Sequence, residues 1–123
     1  MTKRNEVIAY LRDLQNKVCA GFESVENSSH KFEPKKWDYK NGKGGGEMRV
    51  IRGSVFEKAA VNWSAVEGDK YPLDEARGPF FATGVSLITH MANPKMPTVH
   101  FNIRYMEAGG ESWLGGGFDL TPM

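Results

Sequence analysis

The chain begins with a stretch in which apolar residues recur every three or four positions. Between residues 5 and 22 these positions hold Val7, Ile8, Leu11, Leu14, Val18 and Phe22. Most of the intervening positions are polar or charged, as expected for a helix that buries one face. The pattern predicts an amphipathic helix over residues 5–22.

Residues 23–47 lose this periodicity. They are polar, rich in Ser, Asn, Lys and Gly, and contain Pro34. The stretch closes on Gly44-Gly45-Gly46, which is not a phosphate-binding loop because no Gly-Lys-Ser/Thr follows it. This composition predicts a long surface loop that ends in a flexible glycine run.

From Met48 onwards the apolar positions alternate with polar ones, which is the period of a strand. Strands are predicted at residues 48–52, 54–57, 59–66, 79–90, 98–106 and 112–118, separated by Gly, Pro or Asn. No helical pattern lies between them, so the sheet should be mostly antiparallel. The fold class predicted is α+β, with one N-terminal helix and several strands in a single domain, residues 1–123.

The C-terminal residues carry a helix-start signal. Thr121 suits an N-cap and Pro122 suits the first helical position. A helix is therefore predicted to begin at residues 121–123, and the chain is expected to be a truncated portion of a longer protein. The preceding Gly115-Gly116-Gly117 run favours a turn, although glycines beside Asp119 would also let a flat ligand approach the backbone.

Composition narrows the class of protein. The 123 residues carry a formal net charge of +1, which gives no broad basic surface for nucleic acid. A lysine group near Trp37 is a minor alternative, consisting of Lys35, Lys36, Lys40 and Lys43. A single cysteine, Cys19, excludes a disulfide framework and is expected to pack in the core. No apolar run spans a membrane and no signal peptide is present, so a cytoplasmic location is expected.

The stretch from Thr98 to Tyr105 is the most informative for chemistry. Because strand side chains alternate between faces, one face should carry Val99, Phe101, Ile103 and Tyr105. This apolar face is expected to pack on the helix. The opposite face then presents His100, Asn102 and Arg104 in a row with a spacing of about 7 Å.

The preceding strand adds Ser86 and His90, which share parity and could lie on the same face. An antiparallel sheet often has one solvated face, so a solvent-exposed polar face without a binding role remains an alternative. His90 and His100 together supply two metal ligands, fewer than the three or four that a zinc site needs. A metal site is therefore not expected; if one exists, these two histidines would hold it.

Taken in order, several segments resemble the oxygen-dependent coproporphyrinogen III oxidases. The matching runs are Gly44-Gly45-Gly46, Arg49-Val50-Ile51, Val55-Phe56-Glu57-Lys58-Ala59, Val61-Asn62, Gly84-Val85-Ser86-Leu87, Asn93-Pro94, Pro97 to Tyr105, and Gly115 to Pro122. The resemblance spans residues 37–122, and the order and spacing of the segments make it specific.

The resemblance implies a large antiparallel sheet flanked by helices on both sides, with the active site in a cleft between them. It also implies a homodimer that acts in haem biosynthesis on a tetrapyrrole with four carboxylates. The reaction implied is oxidative decarboxylation of two propionates to vinyl groups, giving protoporphyrinogen IX. Molecular oxygen would be the co-substrate, with no metal or organic cofactor; a divalent metal is the less favoured alternative.

Site roles follow from the same resemblance. Asp119 would engage the pyrrole N–H groups, His100 would exchange protons, and Arg104 would clamp a propionate. The remaining substrate-binding candidates are Ser86, Asn102, Ile103, His90 and Arg49, of which Arg49 is equally compatible with a structural role.

The chain departs from the family pattern at a few positions, which are Arg52, Ala60, Met91-Ala92 and Lys95-Met96. These bear on the loop conformation and on substrate entry. Two rival functions remain open from sequence. One is a non-catalytic or incomplete porphyrin-binding fragment, and the other is a generic antiparallel β-rich interaction domain.

Overall fold

A computed structural model describes residues 3–26, 31–40, 42–70 and 75–121. Its elements are helix α1 (Lys3–Glu26) and strands β1 (Glu33–Asp38), β2 (Lys43–Ile51), β3 (Phe56–Gly68), β4 (Phe80–Met91), β5 (Thr98–Ala108) and β6 (Glu111–Thr121), with a short 3-10 turn at Glu75–Arg77. The strands form one antiparallel sheet in chain order. The α+β prediction is confirmed.

Helix α1 packs across the middle of the sheet, on β3 and β4. Leu11 and Cys19 from the helix meet Val61, Val85 and Leu87 from the strands in the main core. Burial raises the pKa of the Cys19 thiol, so the residue behaves as a packing group rather than a nucleophile. The helix extends beyond the predicted 5–22 at both ends. No helix in the described part of the chain is both long and apolar enough to cross a membrane.

The odd-numbered residues of β5 face this helix, as predicted. Val99, Phe101 and Ile103 pack against the main core, and Tyr105 is buried against the Phe81 ring. The even-numbered neighbours must then lie on the other face of the sheet. The alternation on which the sequence analysis depends is confirmed.

Two polar side chains fix the helix to the sheet. Nε2 of fully buried Gln15 donates hydrogen bonds to the carbonyl oxygens of Glu47 (2.9 Å) and Val61 (3.1 Å) on adjacent strands. The Arg12 guanidinium carbon lies 4.3 Å from the centre of the Trp63 ring, a cation–π contact. These contacts add to the apolar packing that holds the helix on this face of the sheet.

The predicted loop over residues 23–47 is wrong in its second half. Residues 33–38 form β1, and β2 already begins at Lys43, so the glycine run lies inside a strand. β1 is an edge strand, where Pro34 and lysines are tolerated because one side needs no pairing. Its polar composition is typical of a loop, and for this reason the sequence did not predict a strand.

Three further boundaries differ from prediction. The strands predicted at 54–57 and 59–66 are replaced by the single strand β3, whose pairing with β4 is irregular between Phe56 and Lys58. Gly115-Gly116-Gly117 lies inside β6, in agreement with the strand predicted at 112–118 and against the turn that the glycine run favoured, and Thr121 ends that strand rather than beginning a helix. The rest of the predicted helix start, residues 122–123, lies outside the described residues.

A two-residue hairpin sets the register of the last two strands. Ala108 pairs with Glu111, and the turn between them is Gly109-Gly110 with φ values of +61° and +79°. Positive φ at both positions is the signature of a type I′ turn, whose twist matches that of the strands. The register that it sets places His100 opposite Asp119.

The end of α1 is tied to the entry of β3 by one carboxylate. Buried Glu26 accepts hydrogen bonds from the backbone N–H groups of Ser54, Val55 and Phe56 and from the Ser54 hydroxyl. These bonds, that from Phe56 above all, lower the pKa of Glu26 from 4.5 to about 2. A side chain on Gly53 would collide with this carboxylate.

Glu26→Gln should lower the thermal stability of the protein at neutral pH, because an amide cannot accept from all four donors. Since folding depresses the pKa of Glu26, its stabilising effect is fully present above pH 4.5 and is lost as pH falls toward about 2. The difference in melting temperature between wild type and variant should therefore shrink over that window. The exposed neighbour Glu57→Gln is the control, and a difference independent of pH would contradict the assignment.

Candidate functional site

The face of the sheet opposite α1 carries a continuous patch of polar side chains. On this face Ser86 of β4 sits between Asn62 of β3 and Asn102 of β5 as direct cross-strand partners. Two residues further along β5, Arg104 pairs with Gly84. Two residues before Asn102, His100 pairs with Ile88. We call this the open face, defined by Asn62, Ser86, His100, Asn102, Arg104 and Asp119.

His100 and Asp119 form the titratable pair of the open face. They are cross-strand partners, and Nδ1 of His100 lies 3.3 Å from Oδ2 of Asp119. Their side chains are 45 % and 59 % exposed, so both can reach a ligand above the sheet. An imidazole beside a carboxylate can both accept and return a proton, which suits acid–base chemistry.

Arg104 stands between two glycines in its row, Gly84 on β4 and Gly115 on β6. A side chain built at Gly115 would meet nothing within 4 Å. Across the described ranges, no carboxylate or carbonyl pairs with the guanidinium of Arg104. It is therefore a cation with room on either side and is available to bind an anion.

Two adjoining clefts meet at Asn102 and Arg104. One lies over β3, β4 and β5, lined by Asn62, Ser64, Gly84, Ser86 and main-chain atoms. The other lies over β5 and β6, lined by Met106, Trp113, Gly115, Gly116 and Gly117. Because glycines and short polar residues form much of the floor, a broad flat ligand could lie close to the backbone.

His90 lies at the margin of this patch. It is near the end of β4, and Nδ1 lies 3.4 Å from the Thr98 hydroxyl, with the ring exposed. In the part of the chain that the structure describes, no group of three His, Cys, Asp or Glu side chains is arranged to hold a metal ion. His90 and His100 thus supply at most two ligands from these residues.

Two predicted binding residues have side chains elsewhere. Ile103 packs toward α1, so only its main chain can border the cleft. Arg49 pairs with Val61 on the helix side, where it donates to Glu47 at 2.6 Å and to Asn16 at 2.7 Å. The structure therefore brings Arg49 together with α1 and not with the open face, because its odd position in β2 points it that way.

Sequence reasoning did not assign Asn62 to the site. It lines the first cleft, and Nε1 of Trp37 donates a hydrogen bond to its Oδ1 at 3.0 Å. The signal was present in the alternation of Val61, Asn62, Trp63 and Ser64, which puts the amide opposite the helix. The strand containing Trp37 had been predicted as loop, so the contact between them could not be foreseen.

A sequence model of the family described as Coproporphyrinogen III oxidase matches residues 6–123. This match covers nearly the whole chain. The chain belongs to the coproporphyrinogen III oxidase family.

Curated relatives in the family agree with this. The chain is 44 % identical over 127 aligned residues to an oxygen-dependent coproporphyrinogen-III oxidase of Synechococcus sp. (strain CC9902), covering 97 % of this chain and 34 % of the relative. It is 48 % identical over 120 residues to that of Prochlorococcus marinus (strain AS9601), covering 91 % and 34 %. The chain thus spans about a third of the length of these relatives.

Adjacent glycines in β6 provide a test of how closely β6 packs on β5 at the site. A side chain at Gly116 would lie 2.6 Å from the Asn102 carbonyl oxygen, whereas one at Gly117 would have 3.8 Å to its nearest neighbour, Nδ2 of Asn102. Gly116→Ala should therefore lower the melting temperature by several degrees, consistent with overpacking that costs about 1–3 kcal/mol. Gly117→Ala should leave it nearly unchanged. Equal effects on thermal unfolding would contradict this geometry.

Proposed function

We propose that the protein acts as an oxygen-dependent coproporphyrinogen III oxidase, converting two propionates of coproporphyrinogen III to vinyl groups and so giving protoporphyrinogen IX for haem synthesis. The observation that carries the proposal is the His100–Asp119 pair on the same sheet face as Arg104, four residues further along β5, whose guanidinium has no ion-pair or hydrogen-bond partner among the described residues. Family membership supports the same reaction. The chain spans about a third of its relatives, so the proposal concerns the whole protein.

The reaction makes definite demands on the site. Each propionate loses its carboxyl carbon as carbon dioxide and a hydrogen from the carbon next to the ring, leaving a vinyl group. Two electrons and two protons pass to molecular oxygen, which becomes hydrogen peroxide. The site must therefore hold a carboxylate in place, make the pyrrole ring electron-rich and move protons.

Asp119 is the residue that makes the pyrrole ring electron-rich, the second requirement of the reaction. A carboxylate under a ring whose N–H groups point inward accepts several hydrogen bonds at once, and these favour its charged form. The negative charge in turn makes the pyrrole a better electron donor. His100 lies 3.3 Å away and can pass protons to or from this carboxylate.

Arg104 is the residue that holds a propionate carboxylate in place, the first requirement of the reaction. A guanidinium binds a carboxylate through two parallel hydrogen bonds, which fixes both position and orientation. Ser86 and Asn102 lie in the adjacent row and can donate to the same group or to a second propionate. His90, at the margin, is assigned a secondary contact.

We propose that molecular oxygen is the co-substrate and that neither a metal nor an organic cofactor is needed. The proposal comes from the family resemblance and from the balance of the reaction, in which oxygen takes both electrons. Activity retained after dialysis against a chelator, with metal content measured on the same sample, is the expected outcome. Activity restored only by an added divalent ion would overturn it.

Binding without turnover is a second candidate function for this part of the protein. His100 and Asp119 are roughly half exposed, and a decarboxylation site is expected to exclude water. Oxygen uptake with reduced substrate separates the two functions, because a binding segment would quench tryptophan fluorescence with porphyrin and consume no oxygen. We likewise propose a homodimer, which the resemblance implies and which light scattering of the full-length protein tests. A cytoplasmic location is proposed because the free, buried Cys19 fits a reducing compartment.

Asp119→Asn in the full-length protein should lower kcat by roughly 10²-fold or more, because the amide is neutral and cannot take a proton. The substitution keeps the size of the side chain, so folding should be preserved. Oxygen uptake under substrate saturation measures the effect. Asp13→Asn, on the exposed side of α1, is the matched control, and near-normal turnover of Asp119→Asn would remove Asp119 from the mechanism.

Arg104→Ala should raise KM for coproporphyrinogen by roughly ten- to a hundredfold, because a hydrogen bond to a charged group contributes binding free energy of that size. Arg104→Lys should recover part of the loss, because it keeps the charge but not the two-pronged geometry. Lys17→Ala, which removes an exposed basic side chain on α1, serves as the control. If the Arg104 variants keep wild-type kinetics, Arg104 does not hold the propionate.

A further inference from the structure

Trp37 reaches across one strand to touch the open face. It pairs with Gly46, and its ring covers that glycine so closely that a side chain there would lie 2.7 Å from Cζ2 of the indole. Nε1 then donates to Oδ1 of Asn62 on β3, at 3.0 Å. The glycine at 46 is thus what allows an edge-strand tryptophan to contact a residue two strands away.

This hydrogen bond fixes the orientation of the Asn62 amide. The indole N–H can only donate, so it selects the oxygen end of the amide, and Nδ2 with its two N–H groups is the other end. Within residues 3–26, 31–40, 42–70 and 75–121, no acceptor is hydrogen-bonded to Nδ2. Asn62 lines the same cleft as Ser86, Asn102 and Arg104.

The cleft therefore brings together hydrogen-bond donors that have no acceptor among the described residues. The Asn62 amide, the Ser86 hydroxyl and the Arg104 guanidinium can all donate, and Arg104 adds a positive charge. Acidic side chains do not line this cleft among the described residues. An anionic group with several acceptor oxygens is the ligand that such a set satisfies best.

We propose that Asn62 is a further substrate-binding residue, which donates from Nδ2 to a carboxylate of the tetrapyrrole, and that Trp37 is a positioning residue that holds the amide in this orientation. The inference rests on the proposed function and deepens it. It extends the carboxylate-binding group from β4 and β5 to β3. It also assigns a role to β1, since Trp37 acts through Asn62 without contacting the ligand.

The test uses the full-length protein and the stable oxidised porphyrin, coproporphyrin III, as the probe in a fluorescence titration. Asn62→Asp keeps the shape of the side chain but replaces the donor with a negative charge. The dissociation constant should rise roughly tenfold or more, the scale of a lost hydrogen bond to a charged group. Asn16→Asp, on α1 across the sheet, is the matched control and should bind as wild type.

The role of Trp37 is separated from a structural one by a double-variant cycle. Trp37→Phe keeps a ring over Gly46 but removes the N–H, and should weaken binding roughly two- to tenfold. In an Asn62→Ala background the same change should have no further effect, because Trp37 acts only through the amide. Thermal unfolding establishes that each variant is folded, and Asn62→Ala replaces Asn62→Asp if the latter is not.

The ligand group is tested with coproporphyrin III tetramethyl ester, in which the carboxylates are neutral. Substitutions at Asn62 should then change affinity little. Wild-type binding of coproporphyrin III with unchanged affinity in both Asn62 variants would overturn the inference alone. An equal Trp37→Phe effect with and without Asn62 would overturn the positioning role. Wild-type protein that neither binds the porphyrin nor consumes oxygen would instead overturn the proposed function.

Discussion

The strict alternation of side chains across an unbroken antiparallel sheet is the constraint on which the site depends. Helix α1 covers the odd-numbered face of β3, β4 and β5, and its core contacts hold that choice in place. A shift of one residue in any of these strands would turn its polar side chains into the core. The position of Arg104 and His100 on one surface is therefore a consequence of apolar burial on the other.

Register across the sheet is set by short-range features far from the chemistry. The Gly109-Gly110 turn aligns β5 with β6, which brings Asp119 opposite His100. At the other end, Glu26 collects the backbone N–H groups that lead into β3. Asn62, Ser86, Asn102 and Arg104 line the clefts of the open face, whereas His100 and Asp119 lie exposed on the same face. The scaffold rather than the site therefore supplies the stability.

Much of this arrangement could be predicted from the sequence because apolar periodicity is strong where burial is strong. The helix and the two faces of β5 follow directly from it, and so does the separation of Phe101 from Asn102. Edge strand β1 could not be recognised, since it is polar, contains Pro34 and buries little. The sequence left Arg49 open between substrate binding and a structural role, because a charged residue carries no sign of which face it occupies when an adjacent helix supplies polar partners.

The role of Asn62 could not be predicted from the sequence, for a different reason. Its orientation depends on Trp37, two strands away in the sheet, and on the space left by Gly46. Neither local propensity nor alternation encodes a contact of this kind. Some glycines of this sheet, Gly46 and Gly116 among them, mark places where another group comes close to the backbone.

The most direct measurement is a crystal structure of the full-length protein with coproporphyrin III bound. The porphyrin should lie against the sheet face opposite α1, with Asp119 beneath the pyrrole nitrogens and a propionate on Arg104. A porphyrin bound on the helix side of the sheet, or one that leaves both residues untouched, would contradict the assignment of this face as the active site.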